Sequence, residues 1–333
     1  MTISAIVFGC AGFSLSEQER AFFRDANPWG FILFSRNCDN PDQVRALVED
    51  LRNTVGRGDA PVLIDQEGGR VQRLSPPHWP SYPPMRMFGE WYDRDPEAAE
   101  RALYNNIRLI AADLHDLGIT VNCLPVLDVP APNAHRIIGD RAFGGDVNVI
   151  ARLGRLVCGS LLDGGVLPVI KHMPGHGRAE VDSHLSLPVV KASRSDLENR
   201  DFVPFRALAD MPLAMSAHVV YEAIDSERPA TQSSTVIGEI IRTEFGFDGL
   251  LITDDLSMSA LQGSLKQRLL ESIEAGCDVG LHCNGVMQEM IELAEVAPSL
   301  TRGDRVLSFL RDPEPFDREQ AWAELSLSRR ESL

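Results

Sequence analysis

Two hydrophobic rhythms alternate along this chain from end to end. Short, nearly continuous apolar runs at Ile3–Gly9, Gly30–Arg36, Pro61–Asp65, Ile119–Asp128, Val166–His172, Pro212–His218, Gly249–Asp254 and Cys277–His282 read as strands buried on both faces. Between them, apolar residues recur every three or four positions. Ala99, Leu103, Ile107, Ile110 and Leu114 follow this helical spacing in a stretch predicted to run from Pro96 to Leu117. Further helices are predicted over Pro41–Val55 behind Asn40, Val147–Gly164, Val236–Glu244 and Leu265–Ala275, with a last one from Gly285. Ser16-x-x-Glu19 and Ser195-x-x-Glu198 read as capping boxes, the second opening a helix through Ala209.

Strand followed by helix eight times over, with no break in composition, predicts an α/β fold of the closed (β/α)8 TIM-type barrel class in a single domain. The barrel is expected to span residues 1–305. Residues 306–333, charged and carrying Pro313 and Pro315, are expected to form a C-terminal appendage of the same domain. An open doubly wound sheet is the alternative, but it would carry a glycine-rich phosphate loop after the first strand. Phe8-Gly-Cys-Ala-Gly12 does not match that fingerprint.

Composition narrows the class of partner. The 333 residues are 44% hydrophobic and 24% charged, ordinary for a globular chain, and their net charge of −16 argues against nucleic acid and anionic membrane surfaces. The six cysteines form no C-x-x-C pair, which fits thiols in a reducing compartment. The N-terminus has neither a basic segment nor the long apolar run of a signal peptide, and no stretch approaches the ~20 apolar residues of a membrane span. Cytoplasmic localisation is therefore expected. No cofactor or metal is expected, and a monomer is the default state.

In a parallel barrel, chemistry gathers where the strands end. The predicted exits carry Asp65, Asp128, Lys171-His172, His218, Asp254-Asp255 and His282. The fifth strand is the richest: it leads into Lys171-His-Met-Pro-Gly-His-Gly177, then Asp182 and His184. A carboxylate beside an imidazole in a loop would fix its tautomer and tune it for proton transfer. Gly175 and Gly177 are expected to make that loop mobile. One of Asp254 and Asp255 would cap the following turn, and the other would serve as a nucleophile or charge stabiliser; periodicity does not say which. Arg70, Arg73 and Arg141 fall in loops at the same end, where an arginine can clamp a polar substrate.

Five segments together resemble glycoside hydrolase family 3, most closely its single-domain bacterial β-N-acetylglucosaminidases. They are Pro28-Trp-Gly-Phe-Ile-Leu-Phe-Ser-Arg-Asn37, Asp65-Gln-Glu-Gly-Gly-Arg-Val-Gln-Arg73, Lys171–Gly177, Asp182-Ser-His184 and Ile252-Thr-Asp-Asp-Leu-Ser-Met258. The resemblance covers about residues 3 to 300. It implies Asp254 as nucleophile, His184 as acid/base with Asp182 as its partner, and sugar contacts from Asp65, Arg73, Arg141, Lys171 and His172. Met173 stands where the family usually has Phe and conserves apolar bulk. The implied activity is retaining removal of a non-reducing terminal β-linked N-acetylglucosamine, with no cofactor. Small glycans or anhydro-muropeptides of cell-wall recycling would be the partners.

Four rivals follow from the same residues. A metal-dependent barrel hydrolase could use His172, His176, His184 and Asp182, but the exit of the first strand, Phe8-Gly9-Cys10, lacks the usual His-x-His pair. A class I aldolase would use Lys171 as a Schiff base. A catalytically silent sugar-binding barrel is opposed by intact Asp254 and His184. Phosphorolysis is the nearest rival, because a histidine acid/base tolerates an incoming phosphate better than a carboxylate does.

Overall fold

A computed structural model describes residues 2–131, 137–179 and 186–331. Eight parallel strands close on themselves: β1 (Ser4–Gly9), β2 (Pro28–Leu33), β3 (Val62–Ile64), β4 (Val121–Asn122), β5 (Leu167–Met173), β6 (Leu213–Ser216), β7 (Leu250–Asp255) and β8 (Val279–His282). Neighbours in the chain are neighbours in the barrel. The seam between β1 and β8 is held by Ile6–Gly280, Val7–Leu281 and Phe8–His282 pairing. Closure of the sheet excludes the doubly wound alternative.

Period-two alternation divides the core into two layers. Val7, Ile32, Leu63, Val121, Val169, Leu213, Ile252 and Val279 fill the barrel interior. Ile6, Phe8, Phe31, Val62, Ile170 and Leu251 point outwards beneath the helices. Trp29, Leu162 and Val306 join the inner layer, with Leu300 and Leu310 packed on it. Function is thereby left to the opposite, carboxyl end of the strands.

Several elements differ from the sequence reading, each for a local reason. Regular pairing of β4 covers two residues where a strand to Asp128 was expected: towards β5 single backbone bonds run on as far as Leu127, but towards β3 the Asn122 side chain takes over the ladder. Its Oδ1 accepts from Gln66 N–H and its Nδ2 donates to the Gln66 carbonyl, both at 3.0 Å. That pairing docks a small hairpin, Gln66–Gly68 with Val71–Gln72, onto the barrel rim. A short helix at Met85–Tyr92 went unread; its Gly89 lies so close to the Phe143 carbonyl that a Cβ would sit 1.7 Å from the oxygen. The helix expected to open at Ser195 is capped by Ser193, whose hydroxyl accepts from Asp196 N–H at 3.1 Å. Ser193 still has extended backbone, whereas Ser195 already lies inside the turn. Leu197–Asp201 and Val236–Glu244 are wound as wide π-type turns.

The last helix, Arg318–Glu331, lies against Pro96–Asp116. Trp322 stacks on Tyr82 with ring centroids 5.7 Å apart, Arg318 pairs with Asp113 and Asp116, and Leu325 is fully buried. Among the described residues, no helix is long and apolar enough to cross a membrane.

Candidate active site

The carboxyl ends of the strands surround a cavity of about 520 Å³. Asp65, Arg70, Arg73, Arg141, Lys171, His172, Asp254 and Asp255 line it, with Phe34, Met258 and Cys283 among the apolar walls. All five residues expected to touch a sugar are thus brought together with Asp254. Asp182 and His184 lie outside the described residues.

Five charges form an alternating chain along one wall. Arg73 Nη2 meets Asp65 at 2.9 Å, and Lys171 Nζ lies 2.8 Å from Asp65 and 2.6 Å from Glu67. Glu67 in turn receives Arg141 through two bonds of 2.8 Å, from Nε and Nη2, in the planar fork that suits a carboxylate. Burial works to raise the pKa of Asp65 and Glu67. The cations prevail: Lys171 and Arg73 hold Asp65 well below the ordinary carboxylate range, and Arg141 and Lys171 bring Glu67 down to about 2. Burial pulls the Lys171 ammonium down, but Asp65 and Glu67 outweigh it and keep it charged. A lysine held in this way is a donor; it is not the neutral amine a Schiff base requires.

Behind His172 stands Asp128, fully buried. Its Oδ2 lies 2.7 Å from His172 Nδ1, and its Oδ1 accepts from the His176 N–H at 2.6 Å. Burial would raise the Asp128 pKa, but His172 and His176 leave it lowered. An ionised Asp128 makes Nδ1 the protonated nitrogen of His172 and leaves Nε2 for other partners. Strong burial pushes the His176 pKa down to about 4.

The pair at the end of β7 separates into two roles. Asp255 accepts from Ser257 Oγ at 2.7 Å, Ser257 N–H at 3.1 Å and Cys283 N–H at 3.2 Å, so it shapes the turn. Asp254 accepts from the Asp255 N–H at 2.8 Å and otherwise faces the cavity. Burial favours its neutral form, yet His172, His218, the Asp255 N–H and Lys171 hold its pKa below the ordinary carboxylate value. It is therefore ionised at neutral pH.

The other strand-exit histidines are props. His218 bridges the Thr231 hydroxyl at 2.8 Å and the Asp255 carbonyl at 3.1 Å, and His282 reaches Glu289 at 2.9 Å. The start of the glycine loop is packed, while residues 180–185 lie outside the described residues. Residues 174–177 are buried, Ala131 N–H bonds the Gly177 carbonyl at 2.9 Å, and a Cβ on Gly177 would lie 2.1 Å from the Val129 oxygen. Glycine is required there by close backbone approach.

Glu67 was missed as a site residue although it stands in the quoted motif. The available signal was its i,i+2 spacing from Asp65, which places both carboxylates on one side of an extended segment. Asp128 was noted at its strand exit, but nothing in the sequence couples it to His172.

These groups make acid sensitivity predictable. His176 and His218 have lowered pKa values in the fold, so their neutral forms contribute stability that is complete above the unfolded-state value of ~6.5. That contribution is lost as pH falls toward about 4, the value of folded His176. The depressed carboxylates Asp65, Glu67, Asp128 and Asp254 act in the same direction below ~4, where unfolded carboxylates bind protons first. Tm measured by calorimetry should decline in two stages as pH falls from neutrality. A flat Tm from pH 6.5 to 4.5 would contradict the histidine stage.

Comparisons with known proteins agree with one another. The family described as Glycosyl hydrolase family 3 N terminal domain matches residues 7–306. A beta-hexosaminidase of Alkalilimnicola ehrlichii is 39% identical over 319 residues, covering 95% of this chain and 86% of its own. Another, from Bordetella avium, is 36% identical over 334 residues, covering 98% and 94%. Among solved structures, NagZ from Neisseria gonorrhoeae in complex with N-trifluoroacetyl-D-glucosamine superposes with a TM-score of 0.87. It is 32% identical, and the match covers 99% of this chain and 97% of that one.

Proposed function

Because the chain belongs to glycoside hydrolase family 3 and is a β-N-acetylhexosaminidase, we propose that it is a retaining enzyme acting on non-reducing terminal β-linked N-acetylglucosamine. Asp254 attacks the anomeric carbon and forms a glycosyl-enzyme through an oxocarbenium-like transition state. His184, oriented by Asp182, protonates the departing oxygen and then takes a proton from the incoming water. Lys171, Arg73, Arg141, Asp65 and His172 hold the sugar.

One observation carries this reading. Among the described residues, Asp254 is the cavity carboxylate with no cation or turn claiming it; its hydrogen-bond partner is a single backbone N–H. Asp65 and Glu67 are tied into salt bridges, and Asp255 into its turn. All of Asp65, Glu67, Asp128 and Asp254 have lowered pKa values, so none is a protonated acid at neutral pH. The acid is then sought outside this set of carboxyl groups, which supports an imidazole.

The natural substrates we infer are anhydro-muropeptides released in cell-wall turnover, hydrolysed in the cytoplasm. N-trifluoroacetyl-D-glucosamine in the gonococcal neighbour is compatible with the sugar class. Trapping with a fluorinated N-acetylglucosaminide, followed by peptide mass spectrometry, tests nucleophile, mechanism and sugar together. Label is expected on Asp254; label on Asp255, or none, would overturn the proposal. Running the reaction with and without inorganic phosphate, and identifying the sugar product, separates hydrolysis from phosphorolysis.

A further inference from the structure

The charged wall of the cavity contains a residue whose part in the reaction is indirect. We propose that Glu67 is a positioning residue, which sets the spacing and the charge state of the two donors, Lys171 and Arg141, that meet the sugar. This rests on the reading above that those two residues hold the substrate.

Exposure separates Glu67 from its neighbour. The Asp65 side chain is 14% exposed and lines the cavity, whereas the Glu67 side chain is 1% exposed and does not. Both Glu67 oxygens are also spoken for: Oε2 accepts from Arg141 Nε, and Oε1 accepts from Arg141 Nη2 and is ion-paired with Lys171 Nζ. Substrate therefore never replaces these bonds. The three residues come from separate parts of the fold, the rim hairpin, the turn after β4 and the end of β5. Glu67 is the point at which they are tied together.

Charge makes the tie more than mechanical. Three cations, Arg73, Lys171 and Arg141, share two carboxylates, Asp65 and Glu67, in a nearly dry wall. Neutralising Glu67 leaves three cations against one anion. Lys171, almost wholly buried, is then the group able to respond, because arginine does not deprotonate in proteins. Loss of its proton would turn a donor to sugar hydroxyls into a neutral amine. Glu67 thus keeps Lys171 charged as well as in place.

The test uses the full chain, an aryl N-acetylglucosaminide, and the variants Glu67→Gln, Glu67→Asp and Lys171→Met. Glu67→Gln keeps the shape and removes the charge. Read with a nitrophenyl substrate in a His184→Ala background, where no histidine proton shapes the profile, it is expected to lower kcat/KM by about tenfold or more and to move the alkaline fall of the kcat/KM–pH profile, which then reports Lys171, down by about one pH unit or more. Glu67→Asp restores the charge on a shorter arm, so the limb should return to its position in His184→Ala alone while KM stays raised. A purely structural role would lower Tm and activity and leave the pH profile where it was. A Glu67→Gln profile that superimposes on that of His184→Ala alone therefore overturns the proposal. If Glu67→Gln does not fold, Glu67→Asp decides: a raised KM supports the role and a wild-type KM overturns it. Lys171→Met separates the two levels of inference. Unchanged KM in that variant overturns the sugar-holding reading itself. Raised KM there, beside an unmoved profile in Glu67→Gln, overturns the part given to Glu67 alone.

Discussion

Replacing Asp254 with asparagine is expected to lower kcat on an aryl N-acetylglucosaminide by on the order of 10⁴-fold or more, with Tm little changed. The size follows from the step removed. An amide of the same shape cannot form the glycosyl ester, so the proposed double displacement loses its covalent half. The small stability effect follows from the surroundings: Asp254 accepts one backbone N–H, which an amide oxygen also accepts. Asp255→Asn should behave in the opposite way. It perturbs a carboxylate that holds Ser257 and the Cys283 N–H, so it should cost stability and reduce turnover far less. Azide adds a second reading. In Asp254→Gly the space left by the side chain admits the anion, which attacks the anomeric carbon directly, and the expected product is the α-glycosyl azide. A β-azide, or equal losses in the two aspartate variants, would remove Asp254 from the nucleophile's role.

His184→Ala should produce a loss that depends on the leaving group. For a sugar alcohol departing without a proton, the loss should be about 10²- to 10⁴-fold; for a nitrophenolate, stable as an anion, it should be much smaller in the glycosylation step. Plotting log kcat/KM against leaving-group pKa measures this directly, and the variant's slope should be the steeper. The argument rests on electrostatics within the cavity. A second free carboxylate near Asp254 would raise the pKa of that aspartate, and the carboxylates already there are neutralised by Lys171, Arg73 and Arg141. An imidazole supplies a proton without adding negative charge. Asp182→Asn should lower activity by a part of the His184→Ala loss, since the role proposed for it is to orient the ring. Equal losses across all leaving groups would take His184 out of proton transfer.

The alternation of apolar runs with helical spacing was enough to read a closed barrel, because burial on both faces imposes continuous strands and leaves a strong imprint on every one of them. Particular residues show where the reading thinned. At Asn122 a side chain imitates a strand, and no periodicity marks that. Ser193 and Ser195 are chemically equivalent caps two residues apart, and the choice between them depended on where the backbone ceased to be extended. Gly175 and Gly177 suggested freedom in the sequence. In the fold they mark places where the loop after β5 packs tightly, Gly177 against Val129. A missing Cβ serves either purpose, and only the neighbours decide.

The same division runs through the active site. The sequence by itself determined which residue types stand at the strand exits, since a buried apolar strand ending in Asp, Lys or His has few bland explanations. It also carried the motifs that led to glycoside hydrolase family 3. Only the tertiary structure decided what each group is tied to. Asp254 and Asp255 differ by one position in the chain, yet one faces the cavity and the other is consumed by a turn. Glu67 met Lys171 and Arg141, and Asp128 met His172, across 104, 74 and 44 residues of chain (171 − 67, 141 − 67 and 172 − 128). Charge pairing acts through space over a few ångströms, whatever the separation in sequence, so it leaves no local pattern to read.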